Sequence, residues 1–328
     1  PLIVEIYNFV SHENNAYIVM EYVGGRSLKQ LLKQRMEANG GSYDPLPVDQ
    51  ALAFLIEILP AFSYLHELGL LYCDFKPDNV IQVGDSLKLI DLGGVRRASD
   101  DESPIYGTVG YQAPEVATAG ATVASDIFTI GRTLMVLCAE VPEYQGDYEF
   151  TVPPAEQLPA FAQYDSLYRL LLKCCARDPG DRFDSAEDLR LQMLGVLREV
   201  VSARGGGTAT TSASSPLFEA PTVSSDRFDW RQLPQLRPDP SDPMAGWLDS
   251  LSLSDPVERL GDLQRPPTVT TGVLLARCLA ALESANQRVL DATVHTMLSD
   301  DPWEWRAVWM AGLGALLSGD NATALSSF

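Results

Sequence analysis

Asp74, Lys76, Asn79 and Asp91 fall within one short run, "LLYCDFKPDNVIQVGDSLKLIDLGG", residues 70–94. A carboxylate and an amide can each offer oxygen to a hard divalent cation such as Mg²⁺. A second carboxylate, held clear of the metal, can accept a proton from an attacking hydroxyl. A lysine two residues beyond that acid can neutralise a phosphoryl group as it moves. Together these groups suit phosphoryl transfer, which asks a protein for positioning and charge neutralisation more than for covalent chemistry.

Such groups need elements to hold them apart at fixed distances. "VIQV" and "LKLI" read as short strands about the turn "GDS", so a hairpin separates Asn79 from Asp91. A long apolar-periodic helix, from about Val48 to Leu68, precedes the run; it enters through Pro47, carries Asp49 in its first turn and stops at Gly69. Upstream, residues 2–10 and 16–23 form a hairpin around "SHENN". "GGRSLKQLLKQRM" then opens a helix with Ser27 as its N-cap in preference to a ligand contact, Arg26 lying beside it. Downstream come a polar loop, 95–110, and helices over 125–140, 164–176 and 185–203, with Asp178-Pro179 separating the last two. Lys88 reads as an exposed strand residue.

The composition sets bounds. Of 328 residues, 24 are Lys or Arg and 44 are Asp or Glu, a net charge of −20. That balance argues against sequence-independent nucleic-acid binding and against docking on anionic lipid. The five cysteines include no C-x-x-C pair, and the three histidines lie far apart, so neither a disulfide framework nor a zinc site is expected. No uninterrupted apolar run long enough to span a membrane is expected. "PLIVEIYNFV" reads as mid-strand and "NATALSSF" as mid-helix, so both ends are expected to be cuts within a longer protein.

The run 70–94 resembles the catalytic loop and D-F-G of protein kinases, and further motifs follow in that family's order. H-R-D-x-K-x-x-N is matched at Asp74, Lys76 and Asn79, and D-F-G at Asp91 and Gly93, with Leu92 for Phe. "GTVGYQAPE" (107–115) is similar to the end of an activation segment, "SDIFTIG" to D-x-W-x-x-G, and "MEYV" (20–23) to the hinge. The resemblance implies roles. Asp74 is the catalytic base and Lys76 the phosphate-neutralising donor; Asn79 and Asp91 are ligands of Mg²⁺ (or Mn²⁺). Met20 is the gatekeeper, the Glu21 carbonyl and Val23 amide bond the adenine of ATP, and Ile81 floors its pocket. Thr108 bonds the catalytic acid and lysine, Asp126 braces the catalytic-loop backbone, and Arg182 of "RDPGDRF" pairs with Glu115. Lys76 and Thr108 point to a serine/threonine kinase acting on protein substrates. Intact Asp74, Lys76, Asn79 and Asp91 favour this over a pseudokinase scaffold, and "GTVGYQAPE" disfavours a small-molecule phosphotransferase.

The departures matter as much. His-Arg before the acid has become Tyr72-Cys73, so the arginine that would pair with an activation-loop phosphate is gone. The loop brings its own acids, Asp100, Asp101 and Glu102, and activity is expected not to depend on phosphorylation of Ser99, Ser103 or Tyr106. Cys73 is expected to be inert rather than a redox switch. The Gly-rich loop, the strand lysine and the αC glutamate are not in the chain, so the isolated chain is expected to transfer phosphate slowly or not at all.

The expected fold is α+β, mainly α. Residues 1–203 form a protein-kinase domain (a partial N-lobe, 1–23, and a complete helical C-lobe, 24–203, with most of the N-lobe missing). Residues 204–270 form a Pro/Gly/Ser-rich linker, its later part extended chain with Trp230 and Trp247. Residues 271–328 begin a helical domain. There Gly312, Ala324 and Phe328 share the spacing of a tetratricopeptide (TPR) repeat across the turn "SGDN", and helix pairs over 272–284 and 286–299 keep the same rhythm. Such repeats dock partners or dimerise. The loop, the D-L-G and the linker into repeats resemble the actinobacterial protein kinase G family. That resemblance implies a soluble protein, a rubredoxin-like module before the kinase, and an FHA-domain metabolic regulator as a partner; the odd number of cysteines, with no C-x-x-C pair, suits a reducing, cytoplasmic setting.

Overall fold

The computed structural model describes residues 2–13, 15–100, 104–205, 215–221, 229–251 and 255–328. The chain divides into two compact units, Pro1–Thr211 and Ser212–Phe328.

In the first unit, β1 (Ile6–His12) and β2 (Asn15–Met20) form the expected antiparallel hairpin, with His12 opposite Asn15 and Ile6 opposite Met20. Two residues of strand, β3 (Arg26–Ser27), then lead directly into α1 (Leu28–Ala38). The Ser27 hydroxyl accepts from the Gln30 amide at 3.1 Å, and the Gln30 side chain accepts from the Ser27 amide at 2.9 Å. This reciprocal box satisfies two donors that the helix itself leaves open. Arg26 reaches along the same helix to Gln34.

The long helix α2 (Val48–Glu67) runs through the middle of the unit. It is long and apolar enough to cross a membrane by length and composition alone. Its apolar stripe is instead spent on the core: Leu52, Ile58, Leu59 and Phe62 have no exposed surface. Each such side chain contributes about 1.5–3 kcal/mol by leaving water.

β4 (Leu70–Leu71) follows, then the hairpin β5 (Val80–Val83) and β6 (Ser86–Leu89). β3 joins the edge of β5 to make a three-stranded sheet. Gly25 makes that approach possible, since a Cβ there would lie 2.2 Å from the Gln82 carbonyl oxygen. The stretch 95–110 is not wholly irregular: β7 (Arg96–Arg97) pairs with β4, Arg96 opposite Leu71.

The remainder of the unit is helical, with α3 (Val116–Ala119), α4 (Val123–Cys138), α5 (Pro159–Gln163), α6 (Asp165–Cys174) and α7 (Ala186–Arg204). α4 is buried on nearly every side, and α2 packs along both α4 and α7.

The second unit contains a short ladder, β8 (Phe218–Glu219) with β9 (Gln235–Leu236), then α8 (Ala245–Leu251) and α9 (Pro256–Leu263). Two antiparallel helix pairs follow, α10 (Thr271–Glu283) with α11 (Gln287–Asp300) and α12 (Trp305–Ser318) with α13 (Asn321–Ser327). The stretch 204–270 therefore differs from a plain linker. Its glycine-, serine- and threonine-rich part, 206–214, lies outside the described residues. Its later part buries Trp230, Met244, Leu260 and Leu263 in one core with Val273, Cys278 and Leu290. Trp230 and Met244 stand too far apart to show a period, and Leu260 and Leu263 show only one turn of it on α9, yet each removes a large side chain from water.

Candidate active site

The site begins with a strained turn. Cys73 has φ +69°, and the Asp74 amide donates to the Tyr72 carbonyl at 3.0 Å, closing a three-residue turn around it. A side chain larger than glycine in this conformation costs about 1–3 kcal/mol and persists only when neighbours over-determine it. Asp126, wholly buried on α4, supplies that constraint. Its two carboxylate oxygens accept from the Tyr72 and Cys73 amides, each at 2.8 Å, and His66 of α2 lies 2.9 Å from one of them. Seven residues on, and so on the same face of α4, the Thr133 hydroxyl donates to the Phe75 carbonyl at 3.2 Å. Phe75 is clamped between Phe62 and Tyr72. His66 and Thr133 were not legible as site residues, because their partners lie 60 and 58 positions away in sequence.

That scaffold aims Asp74, which is half-buried. Lys76 donates to Asp74 Oδ2 at 2.5 Å and to Thr108 Oγ1 at 2.7 Å, while the Thr108 hydroxyl donates to Asp74 Oδ1 at 2.7 Å. Asn79 donates through its amide nitrogen to the Asp74 carbonyl at 2.8 Å. The structure thus brings together Asp74, Lys76, Asn79 and Thr108, the last from a different segment of chain.

The hairpin places Asp91 beside them. Val80 is opposite Leu89, and the Ile90 amide donates to the Asn79 carbonyl at 3.1 Å, so Asn79 and Asp91 leave the hairpin at the same end. With its nitrogen committed, Asn79 keeps its side-chain oxygen for a ligand. Asp91 accepts from the Gly93 amide at 2.8 Å through one oxygen and keeps the other. Both remaining donors are hard oxygens, which suit Mg²⁺. Among the described residues no three His, Cys, Asp or Glu side chains cluster as a metal cage. A cation here would draw its other ligands from nucleotide phosphates and water.

The residues read as a hinge, 20–23, lead out of the separate β1–β2 hairpin and meet β6 through a side chain, one residue pair from the end that carries Asn79 and Asp91. Ile81 of β5 is opposite both Ser27 and Lys88. Lys88 is not the exposed strand residue expected: its ammonium bonds both carboxylate oxygens of Glu21 at 2.6 Å. That pairing holds the Glu21 carboxyl below the usual carboxylate range and ties the segment Met20, Glu21, Val23 to the strand bearing Ile81. Met20 ends β2, partly exposed.

Two ion pairs frame the activation segment. Arg182 meets Glu115 in a two-pronged pair at 2.7 and 2.8 Å and also donates to the Ala124 and Ala176 carbonyls. Its guanidinium lies over the Phe128 ring, 4.9 Å from the centroid. Arg96 lies 3.6 Å from Asp100 in the stretch after Asp91, and the Ala98 amide donates to the Gly69 carbonyl at 2.8 Å. Asp101, Glu102 and Ser103 lie outside the described residues.

Cys73 is buried, and burial first, then the Asp126 charge, pushes its thiol up to about 12, with Arg96 opposing. Thiolate is therefore scarce at neutral pH. Because the folded value is raised, this preference for the thiol stabilises the fold fully below the free-thiol value of about 8.5 and is lost as pH rises from there through about 12. We expect iodoacetamide at pH 7.5 to leave Cys73 unmodified in the folded protein and to label it after unfolding. Native labelling at the rate of a free thiol would contradict this.

A buried acid bracing a strained turn, above a hairpin carrying an amide and a second acid, is an arrangement suited to phosphoryl transfer. Residues 1–192 match the protein kinase domain family, and the chain belongs to that family. It is similar over its whole length to "Serine/threonine-protein kinase PknG" of Mycobacterium leprae (strain TN), 37% identical over 370 residues, covering 100% of this chain and 47% of that protein. PknG of Mycolicibacterium smegmatis (strain ATCC 700084 / mc(2)155) is 36% identical over 368 residues, covering 100% and 46%. "Probable serine/threonine-protein kinase PknB" of Lactococcus lactis subsp. lactis (strain IL1403) is 30% identical over 203 residues, covering 58% and 31%. The chain spans about half the length of the PknG relatives it matches.

Proposed function

We propose that the protein carrying this chain transfers the γ-phosphate of ATP to serine or threonine hydroxyls of proteins. The observation that carries the reading is the closed triangle of Asp74, Lys76 and Thr108, with every edge at 2.5–2.7 Å. Asp74 would accept the proton of the attacking hydroxyl. Lys76, two residues away and already charge-paired, would follow the phosphoryl group as negative charge shifts toward it. Asn79 and Asp91 would hold Mg²⁺, which when bound neutralises phosphate charge. Glu21, Val23, Met20 and Ile81 would seat adenine.

The test is phosphate incorporation by the whole protein from Mg²⁺-ATP into a mixed protein acceptor, with the acceptor residue identified. Phosphoserine or phosphothreonine supports the reading; phosphotyrosine alone, or no incorporation, overturns it.

The activation loop would be ordered without a phosphate. Arg96 and Asp100 supply a charge pair of their own, and β7 is already laddered to β4. Converting Ser99 and Ser103 to Ala and Tyr106 to Phe together should leave turnover by the whole protein within about threefold. A loop that needs its phosphate for order would lose far more.

The second unit would serve docking or dimerisation as a TPR-like stack. Supporting this, a Cβ on Gly312 would meet the Phe328 ring at 2.6 Å, and Ala324 is buried beneath the same crossing. The small residue thus admits the aromatic one across α12 and α13.

A further inference from the structure

Arg132 has no exposed surface, and its guanidinium is bonded by no carboxylate among the described residues. Its donors go to three backbone carbonyls instead: Gly110, Tyr144 and Thr151, each at 2.8 Å. These belong to two separate segments. Gly110 lies in the activation segment, two residues after Thr108. Tyr144 and Thr151 bracket the loop that follows α4. A buried cation bonded only by neutral groups is expensive, because desolvation disfavours the charge more than the one acid acting on it from a distance, Glu149, favours it. Burial accordingly lowers the basicity of Arg132. A fork of five fixed donors is the group able to tie three carbonyls from two loops at once.

The tied segments are also fitted to each other. Gly110 has φ +87°, and a Cβ there would meet the Tyr144 ring and Gln145 at 2.9 Å. The rings of Tyr111 and Tyr144 meet edge to face. On the outer side, Gln145 donates to the Val109 carbonyl at 3.2 Å. Immediately before these tied residues comes Thr108, which bonds both Asp74 and Lys76.

We propose that Arg132 is a positioning residue for the acceptor: it locks residues 107–111 and the 144–151 loop into one rigid ledge that presents a polypeptide hydroxyl to Asp74. The proposal rests on the phosphotransfer reading above. It predicts a division of labour, because the ledge is tied to Thr108 and Asp74, whereas the adenine and metal side is tied to β5, β6 and the hinge. Loosening the ledge therefore affects the acceptor and spares the nucleotide.

The experiment compares the whole wild-type protein with Arg132→Lys and Arg132→Met. Lysine keeps the charge but replaces the fork with a point donor. In hydrogen exchange, amides of 107–112 and 144–151 should exchange at least about tenfold faster in Arg132→Lys, with α2 and α4 unchanged. In kinetics, KM for a peptide acceptor should rise about tenfold to a hundredfold with KM for ATP unchanged within about twofold. Arg132→Met should show the same split, more strongly. Unchanged exchange in both segments overturns the proposal, as does an equal loss for ATP and peptide. If neither variant folds, Arg132 is a core strut and the proposal is likewise overturned. If wild type transfers no phosphate at all, the kinase reading fails, while the exchange measurement still decides whether Arg132 holds the ledge.

Discussion

Asp74→Asn in the whole protein should lower phosphoryl transfer about 10³-fold or more while leaving Mg²⁺-ATP affinity nearly unchanged. A positioned general base contributes about 10²–10⁴-fold, and the rest follows from the local hydrogen bonds. Both Asp74 oxygens are acceptors in the structure, one for Lys76 at 2.5 Å and one for Thr108 at 2.7 Å. An asparagine offers one oxygen and must turn an NH₂ group toward the other donor. The substitution therefore removes the proposed proton acceptor and also releases Lys76 or Thr108 from its place. Nothing on the metal side depends on the Asp74 side chain as its main partner: Asn79 is held by the Asp74 backbone carbonyl, and Asp91 by the Gly93 amide. Retention of a tenth of wild-type turnover, or loss of nucleotide binding in step with turnover, would contradict this assignment.

The second large effect concerns stability. Glu115→Gln should destabilise the first unit by about 3–5 kcal/mol, since it strands a buried guanidinium. For a unit of this size that is a fall in Tm on the order of 10 °C. Arg182 has a fully buried side chain. Its remaining bonds, to the Ala124, Ala176 and Arg177 carbonyls, are neutral and do not offset the charge. The double replacement Glu115→Gln with Arg182→Met should cost less than the sum of the two single changes, because it removes the stranded charge along with its partner. A single-variant loss below about 1 kcal/mol would show that the pair is not desolvated as the structure indicates.

How far these features were legible in the sequence depends on where their partners lie. Asp74, Lys76, Asn79 and Asp91 could be read together because a hairpin of two short strands joins them, and its register is local. Ser27 as a helix cap was legible for the same reason, its partner Gln30 being three residues on. Lys88 was misread because strand alternation marks Leu87 and Leu89 as inward and says only that Lys88 points the other way. What it meets there, Glu21, comes from 67 residues upstream. His66, Thr133 and Arg132 were silent for a related reason: each acts on backbone or carboxylate brought near by helix packing, and no spacing rule announces such a partner. The stretch before α10 was misjudged because its helices, α8 and α9, are short and its proline content suggests extended chain. Its anchors, Trp230, Met244, Leu260 and Leu263, declare themselves only by their burial.

On the proposed reading, Asp74 faces the acceptor hydroxyl while Asn79 and Asp91 face the metal from the other side of one hairpin-built site. The most direct measurement is single-turnover phosphate transfer by the whole protein with prebound Mg²⁺-ATP, comparing wild type with Asp74→Asn at equal nucleotide occupancy. Wild type should give a burst of phosphoserine or phosphothreonine and Asp74→Asn none. Equal bursts from the two proteins would contradict this reading.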